Sequence, residues 1–257
     1  MKTDCLTSSD GELMIMAAHR GTMHQSPEDI DAFTEWYINY CSPVVTGKDK
    51  LLLTRDTITD GFSTLWSKEE AALWVPFFMF MWESLEDTER ELVDRMVAYT
   101  RRENGSQLYE KYYESDGHGM DDDDEGCPES LPTDHPLESK IGQRMIINMH
   151  RYCLGRMTYM PEVCRSWLKA WWHYVELDTR FKMLATTGQA LLSGGCGADC
   201  DAHDWLQFFL KGMNELDTKD QEAIKAAILK EGFTKENLDK VMNGDASMGV
   251  FKWTRSS

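Results

Sequence analysis

Three observations predict a mainly α-helical protein built as two lobes. Apolar residues recur at spacings of three and four, the period of a helix with one buried face. Helix start signals stand in front of most of these runs. One long stretch, residues 115–136, breaks the pattern with acids and prolines. Residues 1–114 therefore read as an acidic helical domain, 115–136 as an acidic flexible linker, and 137–257 as a second helical domain.

The elements follow in order. Ser26-Pro27-Glu28-Asp29 offers a cap, a proline at the first helical position and acids at the positive end of the helix dipole. Ile30, Phe33, Tyr37 and Tyr40 then fall on one face, and Ser42-Pro43 ends the run. Leu51–Thr54 is short and apolar, and reads as an extended strand or a buried loop. Ser67-Lys68-Glu69-Glu70 is a capping box. The helix it opens is apolar on nearly every side through Leu73, Trp74, Phe77, Phe78, Met81 and Trp82, as a central helix is. Pro76 predicts a kink there or an irregular first turn. Glu86-Asp87-Thr88-Glu89 starts the next helix, with Leu92, Val93, Met96 and Val97 at helical spacing and Asn104-Gly105 as its stop.

Beyond the linker, Leu137–Leu154 predicts a helix stopped by Gly155, and Pro161-Glu162 opens one carrying Trp167, Leu168 and Trp171. Asp178 is the expected cap of a helix that breaks at Gly194-Gly195, and Asp201 starts one with Trp205, Phe208 and Phe209. Asp217 and Thr234 cap the last two helices, which end at Gly232 and Asn243-Gly244.

Charge is distributed unevenly. Residues 1–140 hold 30 Asp and Glu against 12 Lys and Arg, while 141–257 hold 14 against 15. An anionic front half repels nucleic acid, which argues against direct nucleic-acid binding there and permits a basic partner or mimicry of nucleic acid. The acids Glu83, Glu86, Asp87, Glu89, Glu91 and Asp94 are the densest helical set and the candidate partner-binding face. The longest apolar stretch, Ala71–Trp82, is too short for a membrane span. Met1–Cys5 turns polar at once, unlike a secretory leader, and seven scattered cysteines suit reduced thiols. A cytoplasmic protein without membrane contact is the expectation.

Signatures of catalysis are missing: no GxSxG, P-loop, GxGxxG or HExxH occurs. Asp121, Asp123, Glu125 and Gly126 imitate the start of a calcium loop, but Pro132 stands where its bidentate Glu belongs. Cys196, Cys200 and His203 form an incomplete zinc set in a Gly-rich turn, which His150, Cys153, Cys164 or His173 would have to complete through the fold. Neither supports a bound metal or cofactor, and none is expected. Trp167 and Trp171 share a helical face and read as core, which leaves Trp172 and Tyr174 as candidate contacts for a partner. Arg144, Arg151, Arg156 and Arg165 concentrate positive charge, and pairing with acids of the front half is the favoured reading.

Residues 145–159, with Arg151-Tyr152-Cys153-Leu154-Gly155-Arg156 followed by Thr158-Tyr159, resemble an RY-x-LGR-x-TY pattern of bacteriophage and prophage proteins. In that pattern a Trp helix and an acid-Cys-Asp step before a second Trp helix come next. Here Trp167, Asp199-Cys200-Asp201 and Trp205 take those places, so the resemblance spans about residues 144–210. It implies a phage or mobile-element setting and a small helical module, with Arg151, Tyr152, Gly155, Arg156 and Tyr159 as motif residues, and brings no activity with it. The expectation is a non-catalytic accessory protein that binds a host or phage macromolecule. Alternatives are an acidic nucleic-acid mimic that inhibits a host nucleic-acid-binding protein, and a metal-dependent enzyme resting on the Cys/His segment.

Overall fold

Three helix starts in this protein, at Ser139, Asp217 and Thr234, are set by side chains that take up exposed backbone N–H groups, and apolar stripes along the helices make the cores. A computed structural model describes residues 4–23, 25–61, 71–104, 135–155, 159–196 and 199–244. Among them every regular element is helical and no strand occurs. The chain divides into two units, residues 1–7 with 22–136 and residues 8–21 with 137–257.

The first unit contains α1 (Asp4–Thr7), α3 (Pro27–Trp36), α4 (Gly47–Asp56), α5 (Val75–Glu83) and α6 (Asp87–Asn104). Ser26 occupies the cap position of α3 with Pro27 at its start, but its hydroxyl bonds the Asp29 carboxylate at 3.0 Å instead of a backbone N–H. Past Trp36 the helix widens into a π-turn, Tyr37–Cys41. Its buried face carries Phe33, Trp36 and Tyr37; Phe33 meets Trp36, Trp74 and Phe77, and Tyr37 meets Phe77, with ring centroids 5.1–6.4 Å apart. The Trp36 indole donates to the Pro136 carbonyl at 3.0 Å, which ties the end of the unit to its core.

Residues 51–54, expected as strand or loop, lie inside α4. Four successive apolar residues show no period, so only the flanking residues could have told helix from strand. Thr54 and Thr57 donate back to the carbonyls of Lys50 and Leu53, each at 2.9 Å, and so fit within the helical turn. Pro76 marks the first turn of α5, following a turn at Leu73-Trp74; the capping box at Ser67 lies outside the described residues. Helix α4 packs on α5 and α6. Arg90 of α6 donates to the Trp82 carbonyl at 3.1 Å and stands over the Trp82 ring, closing the C-terminal end of α5.

The second unit contains α2 (Ser9–Thr22), α7 (Lys140–Leu154), α8 (Met160–Trp171), α9 (Leu177–Ser193), α10 (Asp199–Asn214), α11 (Thr218–Lys230) and α12 (Lys235–Met242). Residues 8–21, grouped by sequence with the front domain, belong here. Gly21 lies against the backbone of Asn148, and Arg20 donates to the Tyr152 hydroxyl at 3.3 Å, so α2 docks on α7. Helix α9 is central: α7, α10, α11 and α12 all pack on it. Close crossings at Gly188 and Gly212 permit this, since a Cβ would come within 2.5 Å of Ile228 and 2.6 Å of Leu184 respectively.

Asp217 and Thr234 cap α11 and α12 as expected, while Ser139, inside the expected Leu137–Leu154 helix, is an additional cap that starts α7 at Lys140. Ser139, Asp217 and Thr234 accept from the N–H groups of Gly142, Asp220 and Asn237 at 2.9, 2.8 and 3.3 Å. Asp178 is a correction. Glu176 holds the cap position of α9, and Asp178 sits in its first turn, paired with Lys182 at 2.6 Å. Likewise α10 starts at Asp199, two residues before Asp201. Of the expected linker only residues 135 and 136 are described, and the calcium-like run lies outside.

Candidate functional site

Two surface features carry the chemistry, one in each unit. On the first unit, Glu83, Glu86, Asp87 and Glu91 are exposed and Glu89 and Asp94 half-buried, while Leu85, Val93 and Val97 behind them are buried. Glu83 ends α5 and Glu86 stands just before α6, while amphipathic spacing places Asp87 and Glu91 on the solvent side of α6. Glu89 also accepts from the Glu86 N–H at 2.9 Å, one half of a capping box. Within 83–95 two guanidiniums stand among six carboxylates: Arg90 pairs with Asp87 at 3.3 Å and Arg95 with Glu91 at 3.2 Å. Such exposed pairs lower the local potential without removing it.

On the second unit, α8 and α10 flank a cleft of about 600 Å³. Two helical stripes line it. Arg165, Lys169 and Trp172 come from α8 and the 3-10 turn that ends it; Asp204, Phe208, Lys211 and Glu215 come from α10 and the residue after it. Both stripes keep the spacing of one helix face. Arg165 donates to Asp204 at 2.7 Å and lies 5.1 Å from the Trp205 ring centre. Its Nη1 is buried and has no partner among the described residues. Arg180, from α9, donates to the carbonyls of Val175 and Trp172 at 2.8 and 2.9 Å, where the C-terminal end of α8 favours a cation. Its guanidinium also covers the Trp172 ring at 4.9 Å. The Trp172 indole donates to Glu215 at 2.6 Å, and its ring meets Phe208 edge-on at 5.7 Å.

The cleft thus holds four cationic side chains against two carboxylates, with two aromatic rings as its apolar wall.

Trp172 therefore lies in the cleft. Tyr174 packs on His173 and Trp171 beside it, its carbonyl accepting from Gln143 at 2.7 Å. Trp167 is buried. Among the motif residues, Arg151 is exposed, Tyr152 is half-buried under α2, Gly155 ends α7, and Tyr159 is exposed just before α8; Arg156 lies outside the described residues. Arg165 pairs inside its own unit, not with an acid of the front half as expected. Lys169, Arg180, Lys211 and Glu215 were not singled out from sequence. Their helical spacing was visible, but nothing in the sequence says that α8 and α10 are neighbours.

Cys196 is buried and His203 exposed, and the Cys200 side chain lies outside the described residues. Among the described residues no three metal-ligating side chains come together. Cys153 and Cys164 are buried and hydrogen-bonded to each other, which with burial pushes the Cys164 thiol well up. His150 is fully buried against Trp205 and Phe208, and burial followed by the Arg151 charge brings its pKa down to about 3.

Fold and site together define an all-α protein with an acidic helical face and a cationic, aromatic-walled cleft. No family model, curated protein or solved structure matches the chain. Among the described residues no helix is long and apolar enough to cross a membrane.

Proposed function

We propose that this chain is a non-catalytic accessory protein of phage or prophage that binds a basic macromolecular partner in the host cytoplasm through its first unit. The observation that carries this reading is the exposure of Glu83, Glu86, Asp87 and Glu91 beside a buried Val93/Val97 stripe. Their charge is available to steer and hold a cationic surface. Burial of the described cysteines, and of His150 in neutral form, favours binding over nucleophilic chemistry, because these groups serve the core.

A second reading, mimicry of nucleic acid, draws on spacing. Asp87 and Glu91 stand one turn apart, roughly 6 Å along the axis at the helical rise per residue. The interleaved Arg90 and Arg95 weaken it.

The test uses the full chain as bait in bacterial lysate, with elution by rising salt. A basic protein should be retained at low salt and released as screening increases. A variant with Glu83, Glu86, Glu89 and Glu91 changed to Gln, and Asp87 and Asp94 to Asn, should lose it while keeping its circular dichroism. Competition by duplex DNA for the same partner would single out mimicry. Retention that ignores both salt and the six substitutions would remove the proposal.

A further inference from the structure

We infer that the cleft between α8 and α10 binds a nucleotide, a flat heteroaromatic ring carrying phosphate. This site is separate from the acidic face and does not depend on it.

Size comes first. About 600 Å³ falls within the range of small-molecule sites, roughly 300–1,000 Å³, and far exceeds what a lone inorganic anion would fill. Charge comes second. Asp204 is engaged by Arg165, and Glu215 accepts from the Trp172 indole. Arg180 is held by two carbonyls and has no carboxylate partner among the described residues. The exposed Lys169 and Lys211 line the cleft from the two helices with no ion pair among the described residues. In a chain of net charge −17 this is a local reversal of sign, and such a concavity gathers anions.

The walls then choose among anions. Trp172 and Phe208 present apolar ring surface that phosphate or sulfate alone would leave wet. A planar ring covers it, and stacking on aromatic and guanidinium surfaces is how bases are commonly held. Gln207 lines the same cleft with both a donor and an acceptor. That pair suits the edge of a heteroaromatic base, whereas a plain aromatic acid would have no use for it. The ring belongs against Trp172 and Phe208, and the phosphate with Lys169 and Lys211.

Calorimetric titration of the full chain with AMP and with UMP at low ionic strength tests this, with adenosine and inorganic phosphate as separate arms. At least one nucleotide should bind with sub-millimolar Kd, more tightly than either fragment, and binding should weaken as salt rises. Lys169→Glu and Lys211→Glu alter exposed side chains and should leave the thermal melt in place. Each should weaken the bound nucleotide about tenfold or more, since it turns an attraction at close range into a repulsion. Trp172→Leu should lower nucleotide affinity by a larger factor than that of phosphate, which it touches only through the Glu215 carboxylate it releases. The inference is overturned if neither nucleotide binds at millimolar concentration, or if both lysine reversals bind as the unaltered chain does. It is equally overturned if phosphate binds as tightly as AMP, or if a short acidic peptide containing Trp binds better than either nucleotide.

Discussion

At the scale of single residues, His150 shows how a titratable side chain becomes a core residue. The Thr187 hydroxyl donates to the Met183 carbonyl at 2.9 Å, so its oxygen accepts from His150 Nε2, also at 2.9 Å. That places the proton on Nε2 and leaves Nδ1 bare and buried, without a partner among the described residues. A second proton would have no acceptor there, in keeping with a pKa brought from 6.5 down to about 3 by burial and then by Arg151. The unfolded chain takes up this proton first as pH falls below 6.5, so stability is full above that pH and is lost progressively down to about 3. Between pH 7 and pH 5 this one group should remove about 2 kcal/mol. Urea midpoints across that range should fall more steeply for the unaltered chain than for His150→Gln. Superposable pH profiles of the two would refute the assignment. From sequence His150 was a possible zinc ligand, because a histidine's neighbours, not its type, decide whether it is buried in a core or bound to metal.

Among the helices, the docking of α2 on α7 depends on a single missing Cβ. At Gly21 that atom would sit 2.3 Å from the Asn148 carbonyl oxygen, and because this is backbone it has little freedom to move aside. Gly21→Ala should therefore lift α2 from α7 and cost roughly 1–3 kcal/mol or more, as overpacking does. Denaturant titration of the purified variant checks this, and a loss no larger than that of an ordinary surface substitution would contradict it. This helix was not read from sequence. It carries Gly11 and Gly21, buries His19 and Thr22, and finds its partner more than a hundred residues away. By contrast, α11 and α12 were legible because Asp217 and Thr234 are local signals that act over three residues. The cleft lies between these cases. Arg165, Lys169 and Trp172 form one readable stripe and Asp204, Phe208, Lys211 and Glu215 another, but their pairing is a tertiary fact.

Over the whole molecule the governing quantity is charge. A net charge of −17 is carried mainly by residues 1–140, and of the front unit's carboxylates whose exposure is described only Asp56 is buried, beside Arg55. Like charges that stay in water repel one another in the folded state more than in the expanded chain, so the fold works against its own field. Added salt shortens the reach of that field to about 8 Å near 0.15 M. Tm should accordingly rise by several degrees as a low-salt buffer is brought to that ionic strength. NaCl and KCl should act alike, since screening follows ionic strength and not the identity of the cation. The local pairs Asp87–Arg90, Glu91–Arg95 and Glu236–Lys240 oppose this trend, but exposed pairs of this kind contribute only about 0.3–0.5 kcal/mol each. Differential scanning calorimetry over a salt series measures the balance. A Tm that fell with salt would mean that attractive pairs outweigh the repulsion, and the acidic face would then be too well compensated to draw in a basic partner.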